Sequence, residues 1–194
     1  MNKKYVYIGR FQLPHMGHEN IIEHAIKNAD TFTILVGSVN APVDEKNPFT
    51  FEDRKEMLDR ICKRISSELG INIPSHIVPL KDFNDNDRWV EEVKNLTTPN
   101  ENETVVLAGC KKDGDASTFY LDLFPEWKQD FIEEVSFPGV DVISSTKLRK
   151  LFFSGEKLPD VVSQTTKDYL NNYMLNWSKN KKNRLGYRFF FYYL

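Results

Sequence analysis

The chain has 194 residues, a length that allows one sizeable core and is short for two full domains. Its content of 40% hydrophobic and 13% aromatic residues excludes bulk disorder. Its net charge of −2 argues against a general nucleic-acid binder, because such proteins are usually basic. The two cysteines lie far apart, the first residues lack a signal-peptide core and no run is long enough to span a membrane, so we expect a cytoplasmic protein without a disulfide framework.

The first motif stands between a predicted strand and a predicted helix. The strand covers residues 4–8, and the helix carries an apolar stripe that ends at Ala29. The turn between them, residues 9–18, reads G-R-F-Q-L-P-H-M-G-H. Such a turn forms an anion site, because unpaired backbone N–H groups and the positive end of the helix dipole point at it.

Three side chains of this turn, Arg10, His15 and His18, add donors for phosphate oxygens. The spacing of the two histidines also suits a zinc site, but zinc needs a third ligand. We therefore interpret the pair as phosphate donors rather than as metal ligands.

A second predicted strand, residues 31–38, gives the β-α-β rhythm of a parallel sheet. The next helix begins after Thr50, which forms a capping box with Asp53, and runs to Leu69. Arg54 lies in the first turn of this helix, where a cation is unfavourable for the helix dipole. The sequence leaves two interpretations of Arg54 open: a side chain that contacts a ligand, or a solvated helix arginine.

The third predicted strand covers residues 76–80, and a polar loop leads from it to an amphipathic helix that carries Trp89. Large aromatic side chains are usually buried. Trp89, however, stands at the start of a helix beside the sheet edge at which parallel α/β folds bind ligands. It is therefore a candidate ligand contact as well as a candidate core residue.

The fourth predicted strand covers residues 104–109 and leads into Cys110, Lys112 and Asp113. The segment that follows, residues 117–127, reads S-T-F-Y-L-D-L-F-P-E-W. No base is identifiable beside Cys110, which argues against a catalytic nucleophile there.

Two short strands are predicted over residues 133–137 and 140–143, just before the motif I-S-S-T-K-L-R at 143–149. The hydroxyl residues of that motif are an N-cap signature, so the helix that follows presents a second N-terminus to an anion. A last helix is predicted over residues 159–177, and the tail 178–194 has no assignment.

Both motifs resemble the nucleotidylyltransferase superfamily. The first, G-R-F-Q-x-x-H-x-G-H, is similar to nicotinamide mononucleotide adenylyltransferases of the archaeal type and of bacterial chains fused to a Nudix hydrolase. N-P-F-T-x-x-x-R at 47–54 and S-x-x-Y-L-x-x-F-P-x-W at 117–127 resemble the same group. The resemblance implies a doubly wound parallel α/β sheet, with a Rossmann-like nucleotidylyltransferase domain over residues 1–177.

The resemblance also implies transfer of AMP from ATP to nicotinamide mononucleotide, yielding NAD and pyrophosphate, with Mg²⁺ bridging phosphate oxygens. Its catalytic residues would be His18, His15 and Arg149, with His18 stabilising charge on the α-phosphate. The residues expected to bind ATP are Gly9, Arg10, Phe11, His15, His18, Gly109, Lys112, Asp113, Ser145, Thr146 and Arg149. Those expected to hold the acceptor nucleotide are Arg54, Asn84 and Trp89.

The sequence departs from the family at Cys110, where histidine is expected, and it has one residue more between Asp113 and Ser117. Another superfamily member, such as a pantetheine-phosphate adenylyltransferase or a cytidylyltransferase, is an alternative, and so is a non-catalytic module that senses ATP or NAD. The sequence does not distinguish nicotinamide mononucleotide from nicotinic acid mononucleotide as the acceptor. It also does not establish whether the protein forms a homo-oligomer. We expect no nucleic-acid or membrane partner.

Overall fold

A computed structural model of the chain describes residues 1–110, 116–133 and 144–179. Its strands are β1 (Asn2–Gly9), β2 (Thr31–Val36), β3 (Ser75–Pro79), β4 (Glu103–Gly109) and β5 (Lys128–Phe131). Its helices are α1 (Met16–Asn28), α2 (Phe51–Leu69), α3 (Asn86–Thr97), α4 (Ser145–Phe153) and α5 (Gln164–Lys179), and a 3₁₀ helix covers Ala116–Leu123. All strands are parallel, in the order β3-β2-β1-β4-β5.

Apolar side chains alternate along the central strands and fill both faces of the sheet. On β1, Tyr5 and Tyr7 belong to the cluster formed with α1 and α2, whereas Val6 and Ile8 belong to the cluster formed with α3 and the 3₁₀ helix. Helices therefore cover both faces, and the predicted doubly wound α/β fold is confirmed.

The ligand edge of this sheet is set by its topology. The strand order reverses between β1 and β4, which pair in parallel with Tyr7 opposite Ala108. In open α/β sheets, ligands bind outside the carboxyl ends of the strands at such a reversal. Helices α1 and α3 both begin at this edge, because each follows the carboxyl end of a strand.

The local predictions hold best for α2. Thr50 accepts a hydrogen bond from the Asp53 backbone N–H, the Asp53 carboxylate accepts from Thr50, and Gly70 ends the helix with a φ of 66°. Strand β5 was not predicted. The predicted strands over 133–137 and 140–143 lie outside the described residues, apart from Glu133, which is not in a strand.

Helix α5 begins at Gln164 rather than at residue 159, because the segment before it docks on α1. The Met16 N–H donates to the Val161 carbonyl over 2.8 Å, and the Ser163 hydroxyl donates to the buried Glu19 carboxylate over 2.6 Å. These bonds hold the C-terminal helices against the start of α1. Within the described ranges, no helix combines the length and the hydrophobicity needed to cross a bilayer.

Candidate active site

The turn after β1 is packed around Phe11. Phe11 has a φ of 52°, in the left-handed region that non-glycine residues rarely adopt, and it is buried. Its ring lies so close to Gly9 that a Cβ atom there would come within 2.8 Å of the ring. A glycine at position 9 therefore avoids a clash with the Phe11 ring, and the buried ring packs against the turn.

The two histidines of the first motif are in contact at the start of α1. His15 is the N-cap residue, and its backbone N–H donates to Nδ1 of His18 over 3.2 Å. A neutral His18 ring that accepts at Nδ1 carries its proton on Nε2. The ring centroids are 3.9 Å apart, and Phe11 backs His18 at 5.1 Å. A Cβ atom at Gly17 would lie 3.1 Å from the His15 ring, so a larger residue there would require the ring to move by a few tenths of an ångström.

Arg149 joins α4 to the turn after β1. It is 7% exposed. Its Nη1 donates to the Gln12 carbonyl over 2.6 Å, and its Nε donates to the Glu45 carbonyl over 3.1 Å. Its Nη2 donates to the Thr146 hydroxyl over 3.2 Å. The arginine of the second motif is thus bonded directly to the backbone of the first.

The start of α4 lies against the same turn. The Ser145 hydroxyl donates to the Leu13 carbonyl over 3.3 Å. Helix α4 therefore begins beside the turn that leads to α1, and a helix N-terminus at such a position favours a bound anion.

Arg54 is buried at 2% exposure behind the ends of β1 and β2. Its Nη1 donates to the carbonyls of Arg10 and Gly37 over 2.8 and 2.7 Å, and its Nε donates to the Thr50 carbonyl over 3.2 Å. Burial lowers the pKa of Arg54 to about 10, against the effect of nearby carboxylates. Arg54 is still a cation at neutral pH, and it ties two strand ends to the start of α2.

Positive charge is concentrated at this edge of the sheet. Burial lowers the pKa of Arg149, and the charge of the exposed Arg10 adds to this effect at both Arg149 and Arg54. Within the described part of the chain, none of the three arginines forms an ion pair with a carboxylate. Such a group of cations favours an anion that carries several charges.

Trp89 lies in the first turn of α3 and is half-buried. Its ring centroid is 6.2 Å from that of Tyr120 and 6.0 Å from that of Phe124. The Tyr120 hydroxyl donates to the Ile8 carbonyl over 3.1 Å, which links this aromatic group to the end of β1. Asn84 is exposed in the loop before α3. Trp89 therefore has a packed side and stands at the ligand edge.

Most of the predicted site residues lie at one edge of the sheet. The turn after β1 contains or contacts Gly9, Arg10, Phe11, His15, His18, Arg54, Ser145 and Arg149, and Thr146 is linked to it through its hydrogen bond with Arg149. Gly109 ends β4 at that edge, whereas Lys112 and Asp113 lie outside the described residues. The roles of these residues as ligands stay predictions. Gln12 was not predicted, although it stands inside the first motif.

No group of three or more histidine, cysteine, aspartate or glutamate side chains in the described ranges is arranged to hold a metal ion. In nucleotide sites, Mg²⁺ is commonly bound through phosphate oxygens and water.

Residues 6–151 match the family described as cytidylyltransferase-like. A nicotinamide/nicotinic acid mononucleotide adenylyltransferase from Acinetobacter baylyi is 31% identical over 170 residues, which cover 87% of this chain and 85% of that protein. A nicotinamide-nucleotide adenylyltransferase from Pyrococcus horikoshii is 30% identical over 165 residues, which cover 85% of this chain and 81% of that protein.

Among solved structures, a bifunctional NMN adenylyltransferase/ADP ribose pyrophosphatase from Francisella tularensis matches with a TM-score of 0.69 at 26% identity. The match covers 92% of this chain and 56% of that one, so this chain spans little more than half of the bifunctional enzyme. A second structure of the same enzyme, complexed with AMP and manganese ion, matches over 92% and 55% with a TM-score of 0.64 at 25% identity. The chain belongs to the cytidylyltransferase-like family and, within it, to the nicotinamide-nucleotide adenylyltransferases.

Proposed function

We propose that this chain transfers the AMP moiety of ATP to nicotinamide mononucleotide, forming NAD and releasing pyrophosphate. The observation that carries the proposal is the contact between the two motifs, in which Arg149 donates to the Gln12 carbonyl over 2.6 Å. That bond holds the Arg149 guanidinium of α4 against the turn that leads to His15 and His18. Relatives at about 30% identity are named for the same activity.

The chemistry requires positioning and charge neutralisation. The phosphate of the acceptor is already ionised at neutral pH and needs no general base. One of its oxygens forms a bond to the α-phosphorus of ATP, and the bond from that phosphorus to the oxygen bridging the β-phosphorus breaks. Pyrophosphate leaves with the electron pair, so negative charge rises on the α-phosphoryl oxygens and on the leaving group.

In this proposal the side chains of both motifs meet that charge. The Nε2–H of His18 donates to an α-phosphoryl oxygen, and His15, whose ring lies against that of His18, holds the triphosphate. Arg10 and Arg149 neutralise the departing pyrophosphate. Each of these interactions strengthens as the reaction proceeds, which is the condition for raising kcat.

The start of α4 and a divalent cation complete the proposed ATP site. The Thr146 hydroxyl and the backbone N–H groups of Ser145 and Thr146 supply donors at the positive end of the α4 dipole. We assign Mg²⁺ as the cation, which would be held by the phosphate oxygens of ATP and would neutralise part of their charge. Lys112 and Asp113, beyond the end of β4, are proposed as further ATP ligands.

The proposed acceptor site uses the other end of the crevice. The Nη1 and Nε atoms of Arg54 are engaged by backbone carbonyls, which leaves Nη2 to reach the acceptor phosphate. Asn84 and Trp89 hold the pyridine base, with the indole stacked on the cationic ring.

Trp89→Ala should weaken acceptor binding by up to about thirtyfold, because a cation over an indole ring gains roughly 0.5–2 kcal/mol and 1.4 kcal/mol is tenfold. The KM for ATP should change much less, because adenine lies at the other end of the crevice in this proposal. Steady-state kinetics with each substrate varied in turn measure both values.

Trp89→Phe is the matched variant, because a phenyl ring retains the packing on Tyr120 and Phe124. It should stay folded and bind the acceptor with intermediate affinity. If Trp89→Ala instead loses about 3–5 kcal/mol of stability in thermal melts with an unchanged acceptor KM, Trp89 is a core residue and the pyridine contact is wrong.

Nicotinic acid mononucleotide is a second candidate acceptor, because the Acinetobacter baylyi relative is named for both mononucleotides. Nicotinamide mononucleotide carries an amide on its pyridine ring, whereas nicotinic acid mononucleotide carries a carboxylate there.

The proposed function is tested by pyrophosphate release from ATP with a panel of acceptors: nicotinamide mononucleotide, nicotinic acid mononucleotide and phosphopantetheine, with CTP replacing ATP in a parallel series. We expect turnover with ATP and nicotinamide mononucleotide. A preference for phosphopantetheine or CTP would assign another reaction of the superfamily. ATP binding without turnover of any acceptor would favour a nucleotide-sensing module.

The tail should be dispensable. The α5 side chains that are seen to pack on α2 and on Phe49 in the described residues, such as Tyr169 and Tyr173, precede residue 178. A chain ending at Ser178 should therefore keep kcat/KM nearly unchanged. A chain ending at Ser163 is the control, and it should lose stability because it lacks the bond from Tyr169 to Asp53. Loss of activity in the longer chain together with a change in oligomer size would show that the tail forms an interface.

A further inference from the structure

The side chain of Gln12 forms a two-point bridge to the backbone of Phe49. Its Nε2 donates to the Phe49 carbonyl over 2.9 Å, and its Oε1 accepts from the Phe49 N–H over 3.1 Å. Gln12 is 2% exposed, so neither bond competes with bulk water. An amide side chain is needed for this pattern, because it is the group that offers a donor and an acceptor side by side.

Phe49 is a fixed anchor for this bridge. It is 1% exposed, and its ring contacts Tyr173 at a centroid distance of 5.3 Å and Phe153 at 6.2 Å. The anchor therefore belongs to the packed cluster that α4 and α5 form over α2. A bridge to it fixes the position of residue 12 relative to the C-terminal helices.

The backbone of Gln12 transmits this position to Arg149. The Gln12 carbonyl accepts from Nη1 of Arg149 over 2.6 Å. One residue thus binds the segment before α2 through its side chain and the Arg149 guanidinium of α4 through its main chain. The neighbouring Arg10 carbonyl is held in a similar way by Arg54, over 2.8 Å.

We infer that Gln12 is a positioning residue that sets the orientation of Arg149 toward the departing pyrophosphate. This inference rests on the proposed function. Without the bridge, the carbonyl at residue 12 is free to shift with the strained turn around Phe11, and the guanidinium that donates to it shifts as well. A displacement of this kind lowers the rate of the chemical step more than it lowers the affinity for substrate.

Gln12→Met tests the inference, because methionine has a similar length and an apolar terminus without either hydrogen bond. We expect kcat per folded molecule to fall by about a hundredfold, the size of a 1 Å misplacement. The KM for nicotinamide mononucleotide should change far less than kcat. The dissociation constant of pyrophosphate, measured by calorimetry, should rise by about tenfold, the value of one hydrogen bond to a charged group.

Two further variants are measured: Gln129→Glu is a control, and Gln12→Glu is a second test of the bridge to Phe49. Gln129 donates to the Leu121 carbonyl over 2.7 Å on β5 and is not among the residues assigned to ATP or to the acceptor, so its replacement should leave kcat and pyrophosphate affinity unchanged. Gln12→Glu keeps the acceptor but sets a carboxylate oxygen against the Phe49 carbonyl, so it should resemble Gln12→Met. Circular dichroism gives the folded fraction of each variant.

The outcomes separate this inference from the proposed function. If the unaltered chain makes NAD and Gln12→Met keeps wild-type kcat and pyrophosphate affinity per folded molecule, the inference is overturned and the function stands. If the unaltered chain makes no NAD, the proposed function fails, and the pyrophosphate affinities still decide the role of Gln12. A variant that only melts at a lower temperature, with normal kcat per folded molecule, shows a structural role alone and also overturns the inference.

Discussion

Replacing His18 by alanine should lower kcat by about 10²–10³, the usual cost of removing one transition-state donor. The structure gives the reason, because the His15 N–H donates to Nδ1 of His18 over 3.2 Å and so fixes the imidazole at the start of α1, where the proposal places the α-phosphate. The substituted chain should remain folded, since His18 is only half-buried. Single-turnover kinetics at saturating substrates measure the chemical step directly.

His24→Ala is the matched control on the same helix. His24 contacts the Asp130 carboxylate over 2.8 Å, away from the turn after β1, so kcat should not change. Near wild-type kcat in His18→Ala would remove His18 from the mechanism. Equal losses in both variants would indicate that the helix, rather than the imidazole, had been disturbed.

Arg149→Lys should have an effect of similar size, a loss in kcat of about 10²–10³. A lysine keeps the charge but not the planar fork, so it cannot reproduce the three bonds to Gln12, Glu45 and Thr146. The KM for ATP should rise as well, because the proposed contact with the β- and γ-phosphates is made in the ground state. Steady-state kinetics with ATP varied measure both effects.

Arg60→Lys controls for the substitution itself. Arg60 lies on the exposed side of α2, where it pairs with Glu56 over 2.8 Å, and its replacement should leave kcat and both KM values unchanged. A fully active Arg149→Lys variant would show that a positive charge at this position is enough for catalysis. The planar guanidinium and its three hydrogen bonds would then have no catalytic role.

The sequence predicted those elements whose signals are local. The start of α2 is an example, because Thr50 and Asp53 cap each other across one turn of helix and Gly70 marks the end. Strand β5 was missed because Lys128–Phe131 has four residues, mostly exposed, without an apolar run. Its pairing with β4 is a tertiary contact, and no local pattern reports it.

In the candidate site as well, the features with a local sequence signal were predicted and those that depend on tertiary contacts were not. The motif predicted that His15, His18 and Arg10 share a turn, because they are close in the sequence. The environment of Arg54 could not be predicted, because its partners, the carbonyls of Arg10 and Gly37, come from other elements. Gln12 was missed for this reason as well: its role depends on Phe49, which the fold brings to it from 37 residues away.

The most direct test of adenylyl transfer is ³¹P NMR of the protein with ATP, Mg²⁺ and nicotinamide mononucleotide. Attack at the α-phosphorus predicts the diphosphate resonances of NAD and an equal amount of pyrophosphate, with no ADP. Pyrophosphate and AMP without a dinucleotide, or ADP with orthophosphate, would mean that water is the acceptor or that the γ-phosphorus is attacked. Either result would contradict the proposed reaction.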